Sequence, residues 1–340
     1  MIEDDRDPAL AGLTPPRANR ELVGHEALRH ALEGRWRSGR LHHGLLLVGP
    51  RGIGKATLSY AFAAMILSRC ETLEDGQHSA ARGQLEAGAA QGFRRLAVGL
   101  TREGKPKKQI GVDEVRALEP FLRQRVGDGW RIVLVDAADD LNAASANALL
   151  KVLEEPGERT LFILLSHRPG GLLPTIRSRC VRYDASPLGE AEIRGVLSRS
   201  DLSPRDVEAA LPHAGGSVRR AVSLAESGAS EALAAAQTLL ERSAWSPADG
   251  ARVVDLATGR GREAVYDEIV AALPRMLGDR AVAAARNGDG VSASRMAREA
   301  SSIENALNQR EAYGVDRALS LRAALHGAHE AVVPSARETH

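Results

Sequence analysis

Apolar positions along this chain fall first into short unbroken runs separated by helical stripes, then into helical stripes alone. The runs Leu45–Val48, Ile132–Val135 and Leu161–Leu165 are each bounded by polar or glycine residues. Such runs suit parallel strands covered on both faces. Phe93–Leu100 is a further candidate strand, and Val181–Tyr183 a short last one. Between the runs the apolar residues recur at three-and-four spacing. Leu58, Ala61, Phe62, Met65 and Ile66 make one stripe beyond Lys55, and Val115, Leu118 and Leu122 a second. Ala146–Glu155 makes a third helix, stopped by Pro156, and an amphipathic helix starts at Glu26. Residues 71–92, rich in Gly, Ala, Glu and Gln, read as loop or weak helix. Alternation of strand and helix from 45 to 184 predicts one α/β domain with a parallel sheet.

Beyond Pro187-Leu188-Gly189 no strand pattern returns. Three short helices carry Ile193, Val196 and Leu197, then Val207, Ala210 and Leu211, then Val218, Ala221 and Leu224. The second and third start behind Ser203-Pro204 and Gly215-Gly216-Ser217. From about Ser230 the chain is alanine- and leucine-rich helix, interrupted at Ser246-Pro247, Pro274, Asn287–Gly290 and Gly314. These breaks predict a bundle of about five helices. The expected division is 1–186 for the α/β core, 187–229 for a three-helix lid and 230–340 for a helical collar.

A length of 340 residues fits two or three domains. No apolar run approaches the roughly 20 residues of a membrane span, and the start, Met1–Asp7, is acidic where a signal peptide is basic. A cytoplasmic protein with no membrane partner is expected. Two cysteines, Cys70 and Cys180, exclude a disulfide framework. A net charge of +1 argues against nucleic-acid binding over the whole surface, and 3% aromatics argues against base-stacking platforms. The basic stretch Thr101–Lys108 reads as a solvated hairpin tip.

The chemistry gathers where the first run ends, at Gly49-Pro-Arg-Gly-Ile-Gly-Lys-Ala-Thr57. Strand, glycine turn and helix follow in the order of a phosphate-binding P-loop. Gly49, Gly52 and Gly54 let backbone N–H groups converge on an anion, and Lys55 adds a full charge for the β/γ-phosphates. The residue after the lysine should supply a hydroxyl to Mg²⁺. Here it is Ala56, and the hydroxyl is displaced to Thr57, about 100° further round the helix. Asp136 closes the second long run at the carboxyl edge of the sheet, the Walker B position. Ala137 stands where an ATPase keeps the glutamate that polarises water. His42-His43 sit on an extended segment that points them to opposite faces, so a surface or packing role is expected rather than metal binding. Cys70 with His78 supplies two ligands where a structural zinc site needs four, so no zinc is expected.

Four stretches together resemble the clamp-loader branch of the AAA+ family over nearly the whole chain. They are the P-loop, Asn147-Ala-Leu-Leu-Lys-Val-Leu-Glu-Glu-Pro156, Ser178-Arg-Cys180 and Gly216-Ser-Val-Arg219. The resemblance implies an AAA+ core, a lid, and a collar that holds five subunits in a ring. It implies that Arg179 reaches into a neighbour's ATP site as an arginine finger, and that Arg219 matches the lid arginine that senses nucleotide. Ser166 and His167 stand where active relatives keep a polar sensor, and neither is assigned a role. The implied partners are the gamma/tau and delta subunits and, through the assembly, the beta sliding clamp and primer-template DNA.

Loss of the Mg²⁺ hydroxyl and of the Walker B glutamate fits a non-hydrolysing stator within a DNA-directed DNA polymerase (nucleotidyltransferase) holoenzyme. The retained lysine and glycines leave room for ATP or phosphate. The alternative is an active gamma-type motor ATPase served by Thr57 and Asp136. A sequence-specific DNA-binding regulator finds no basic helix-turn-helix to support it.

Overall fold

A computed structural model describes residues 13–99, 101, 105, 107–123, 129–313 and 316–333, with the side chains of 307–313 left aside. The acidic start, Arg102–Gly104 and Pro106 of the basic stretch, and Gly314 lie outside the described residues. Contacts divide the chain into two compact units, Met1–Asp201 with Gly215–Arg220, and Leu202–Ala214 with Ala221–His340.

The first unit runs α1 (Glu26–Arg37), β1 (Gly44–Val48), α2 (Lys55–Leu67), α3 (Leu73–Gln77), α4 (Ala80–Glu86), β2 (Phe93–Ala97), α5 (Val112–Arg116), α6 (Glu119–Arg123), β3 (Arg131–Asp136), α7 (Ala143–Glu154), β4 (Thr160–Ser166), α8 (Pro174–Arg177), β5 (Val181–Asp184) and α9 (Glu190–Leu197). All five strands are parallel, in the order β2-β3-β4-β1-β5. This is the α/β core with a parallel sheet that the alternation of runs and stripes predicts. Alternation along each strand splits the apolar side chains between two cores. Leu45, Leu47, Leu134 and Ile163 pack with the helices on one face, and Leu46, Val133, Phe162 and Leu164 with those on the other.

Register sets up the site. Val48 of β1 lies opposite Ser166 of β4, and Val135 of β3 opposite Leu164 of β4. The loop after β1, the end of β4 and the carboxylate ending β3 therefore share one edge of the sheet, where open parallel sheets bind ligands.

Two local readings change. Residues 71–92, read as loop or weak helix, hold two short helices, α3 and α4, each begun by a side-chain cap, Thr72 accepting from Asp75 N and Ser79 from Arg82 N. They pack on α2, which is buried along nearly its whole length because the sheet covers one side and these helices another. Arg82, fully buried, donates to the carbonyl of Asn19 and ties the segment before α1 to them. The second strand stops at Ala97 rather than at Leu100, which itself lies outside the described residues.

The second unit holds α10 (Pro204–Ala210) and, after α11 (Val218–Ser227), the helices α12 (Ser230–Glu241), α13 (Pro247–Thr258), α14 (Glu263–Arg286), α15 (Gly290–Tyr313) and α16 (Arg317–Val332). Helix follows helix as the breaks at Ser246-Pro247 and Asn287–Gly290 require, but Pro274 does not interrupt α14. Ile269, Leu273, Leu277 and Ala281, four residues apart and buried, hold the helix through the proline. The missed break lies at Gly259–Arg262, where Gly261 takes φ +76°. Among the described residues no helix is long and apolar enough to cross a membrane.

Candidate functional site

The loop after β1 turns on residues that only glycine tolerates. Gly52 and Gly54 have φ of +79° and +99°, and a Cβ on Gly52 would lie 2.4 Å from Cβ of Arg219 and 2.5 Å from Oγ of Ser217. Val218 N donates to Gly52 O at 3.0 Å, so the start of α11 is pressed on the loop and carries Arg219 to it.

Lys55 opens α2 and is 3% exposed. Its Nζ donates to Gly49 O and Pro50 O, both at 2.6 Å, and lies 3.0 Å from Nδ1 of His167. An ammonium has donors only, so Nδ1 accepts and the imidazole is neutral. Burial, then the Lys55 charge, holds His167 below its ordinary range. Burial likewise brings Lys55 down to about 8, against the opposing pull of Asp136 and Asp139.

His167 is aimed by Asp139, in the turn after β3. Its carboxylate accepts from Ser166 Oγ at 3.0 Å, His167 N at 2.7 Å and Arg168 N at 2.9 Å. Sequence reading passed over Asp139. The signal was present as a second carboxylate three residues beyond Asp136, within reach of the neighbouring strand's end.

Asp136 ends β3 as expected, and its Oδ2 receives Arg95 Nη2 at 2.9 Å. Arg95 comes from β2, two residues before Ala97, which lies opposite Asp136 in the ladder. Alternation thus points it to the same face. Ala137 is buried.

These groups border a cavity of about 680 Å³ within the first unit, of the size that holds small ligands. Gly52, Gly54, Lys55, Thr57, Asp136 and Arg219 all line it, while Gly49 is joined to it through the carbonyl that holds Lys55. Arg51, Arg95 and His167 add to the polar end, and Leu22, Val23, Leu188 and Val196 make an apolar end. His25, whose ring meets Ile53 O at 2.6 Å, is another lining residue that the sequence did not single out.

Arg179 stands apart from this cavity. It precedes β5, an edge strand, with its side chain 35% exposed. Nη2 pairs with Oε1 of Glu154 at 2.6 Å and Nη1 donates to Thr175 O at 3.1 Å. His42 and His43, expected on opposite faces, stack with ring centroids 4.3 Å apart. They precede the regular strand, and Nε2 of His43 contacts Leu153 O at 3.1 Å. Among the described residues no group of three or more His, Cys, Asp or Glu is arranged to hold a metal ion.

The site predicts its own pH dependence. Lys55 titrates near 8 in the folded chain and at 10.5 in an ordinary setting. Between these values the unfolded chain holds a proton that the folded chain has released, so stability rises with pH across that window. His167 works at the acid side. Its folded pKa lies below 6.5, so as pH falls through about 6.5 the unfolded chain takes up the proton first and stability drops. Urea denaturation at steps between about pH 8 and 10 should show a gain for the wild type that is reduced in Lys55→Met.

Comparison with known proteins finds its family match within the first unit. Residues 24–188 match the family model described as DNA polymerase III, delta subunit. The Pseudomonas aeruginosa protein named DNA polymerase III subunit delta' is 38% identical over 184 residues, covering 52% of this chain and 53% of its own length. The Mycobacterium bovis DNA polymerase III subunit gamma/tau is 32% identical over 185 residues, 54% of this chain and 31% of its own. The chain spans about half the length, or less, of these curated relatives. A solved gamma subunit-related protein of DNA polymerase III from Thermotoga maritima aligns over 88% of this chain and 99% of its own, at 18% identity and TM-score 0.36.

Proposed function

We propose, for a chain whose residues 24–188 match the family model described as DNA polymerase III, delta subunit, and which resembles the subunit delta', that it is the delta-prime stator of a bacterial clamp loader. In this reading it hydrolyses no ATP itself and completes a neighbour's ATP site with Arg179. Its partners are gamma/tau and delta, and through the ring it helps place the beta sliding clamp on primed DNA. The core 1–186 carries the P-loop, the lid 187–229 carries Arg219, and the collar 230–340 joins the ring.

The observation that carries the reading is the place of Arg179. It lies just before an edge strand, partly exposed, held by Glu154 and Thr175, and away from its own chain's cavity. An always-charged, forked guanidinium in that position suits phosphate oxygens offered by another subunit. The motor reading draws on Thr57 and Asp136, both at the cavity, but Asp136 is engaged by Arg95 and Ala56 and Ala137 supply no polar group.

ATP turnover by the isolated chain separates the two. No significant hydrolysis is expected. A steady-state rate of about 1 s⁻¹ or more, the low end of ordinary enzyme turnover, abolished by Lys55→Ala, overturns the stator reading.

A further inference from the structure

A P-loop site ordinarily holds its nucleotide together with Mg²⁺, bound by the hydroxyl after the lysine and by the Walker B carboxylate. Neither ligand is offered here. The Ala56 side chain has no oxygen, and the Asp136 carboxylate is paired with Arg95 at 2.9 Å, both side chains about four-fifths buried. Mg²⁺ demands near-octahedral oxygen donors and dehydrates reluctantly. To use Asp136 it would have to expel a guanidinium that is always charged and already satisfies that oxygen. The donor set does not fit the ion.

The same pocket is rich in fixed positive charge. Arg51, Lys55, Arg95 and Arg219 line it with the carboxylates Asp136 and Asp140 opposed to them, and the backbone turn at Gly52 and Gly54 opens on it. We infer that this cavity binds the polyphosphate of a nucleotide as the free anion, without Mg²⁺, Arg95 serving as the built-in countercation of Asp136. Guanidinium groups take phosphate oxygens through paired N–H donors. Arg95 also removes the repulsion that a bare Asp136 would exert on a bound phosphate, which is the electrostatic task of the metal in an ATPase. Since Mg²⁺ in solution binds the same phosphates, it competes with the protein for them rather than helping.

This inference builds on the reading of the site as one that does no hydrolysis, but it is tested by binding alone. The probe is ADP, titrated calorimetrically into the full chain in EDTA and again in excess Mg²⁺. The wild type should bind ADP at least as tightly in EDTA as in Mg²⁺. Arg95→Met should reverse the order. With Asp136 uncovered, ADP binding in EDTA should fall by about tenfold or more and Mg²⁺ should restore part of it. Arg95→Lys, which keeps the charge, should stay closer to wild type.

Three results overturn the inference. They are a wild-type affinity that falls about tenfold in EDTA, absence of ADP binding under both conditions, and an Arg95→Met variant that binds like wild type in EDTA. The wild-type comparison needs no variant to fold. The stator reading fails on different evidence, namely turnover by the isolated chain or an indifferent Arg179, so the two can fall separately.

Discussion

On the proposed stator role, replacing Arg179 by alanine should slow clamp- and DNA-stimulated ATP hydrolysis at one site of the reconstituted clamp loader on the order of a thousandfold, the scale on which arginine fingers act. Total turnover then falls by that site's share. The variant itself should fold normally. Arg179 is partly exposed, and its contacts are one ion pair to Glu154, whose side chain is 47% exposed, and one donation to Thr175 O. Pairs of this kind contribute at most about 1 kcal/mol. Arg179→Lys should resemble alanine, because a point charge on a flexible stem does not reproduce the planar fork. Arg182→Ala is the matched control. It sits on β5, pairs with Asp184 at 2.6 Å in a more exposed setting, and should leave turnover unchanged. Single-site kinetics in the assembled complex measures this. The opposite pattern, Arg179→Ala silent and Lys55→Ala crippling, would assign the working site to this chain's own loop.

The second large effect should appear on stability, at Asp139. Asp139→Ala strips the acceptor from Ser166 Oγ, His167 N and Arg168 N together. Ser166 is fully buried, so its hydroxyl is left without this partner and without compensating water. Hydrogen bonds to a charged group contribute about 1.5–3 kcal/mol each, and Arg168 N at the exposed end should rehydrate. A net loss of about 3 kcal/mol is expected. Because the Asp139 charge raises the Lys55 pKa against burial, its loss moves the folded value further below about 8, and the pH-dependent gain should persist and begin at lower pH in the same variant. Asp139→Asn keeps two lone pairs on one oxygen and should lose less. Equilibrium urea unfolding, followed by a probe of the first unit, checks this. An Asp139→Ala variant within about 0.5 kcal/mol of wild type would show that the turn relaxes onto other donors.

Much of this was written in local pattern. Unbroken apolar runs identified β1, β3 and β4 because a parallel strand covered on both faces has no need to alternate. The stripe beyond Lys55 identified α2, and Gly49 to Thr57 identified the loop between them. The missing hydroxyl at Ala56 and missing acid at Ala137 were legible for the same reason, since motif chemistry depends on residues adjacent in the chain. The family resemblance, too, rested on such short stretches, three of which lie within the residues 24–188 that match the model described as DNA polymerase III, delta subunit.

What periodicity does not encode is which elements become neighbours. The order β2-β3-β4-β1-β5 brings Arg95 to Asp136 across 41 residues and Lys55 to His167 across 112, so the nature of the site was decided by strand register. Residues 71–92 carried too little apolar signal to announce two helices. Burying them against α2 supplies from outside the stability that their propensity lacks. Pro274 reads as a breaker when only its own backbone is considered, yet buried neighbours on either side carry α14 through it. Sequence alone determined the local shapes and the catalytic groups that are absent. The tertiary structure decided what holds Asp136, Asp139 and Lys55, because burial and charge pairing act between residues that only the fold brings within reach.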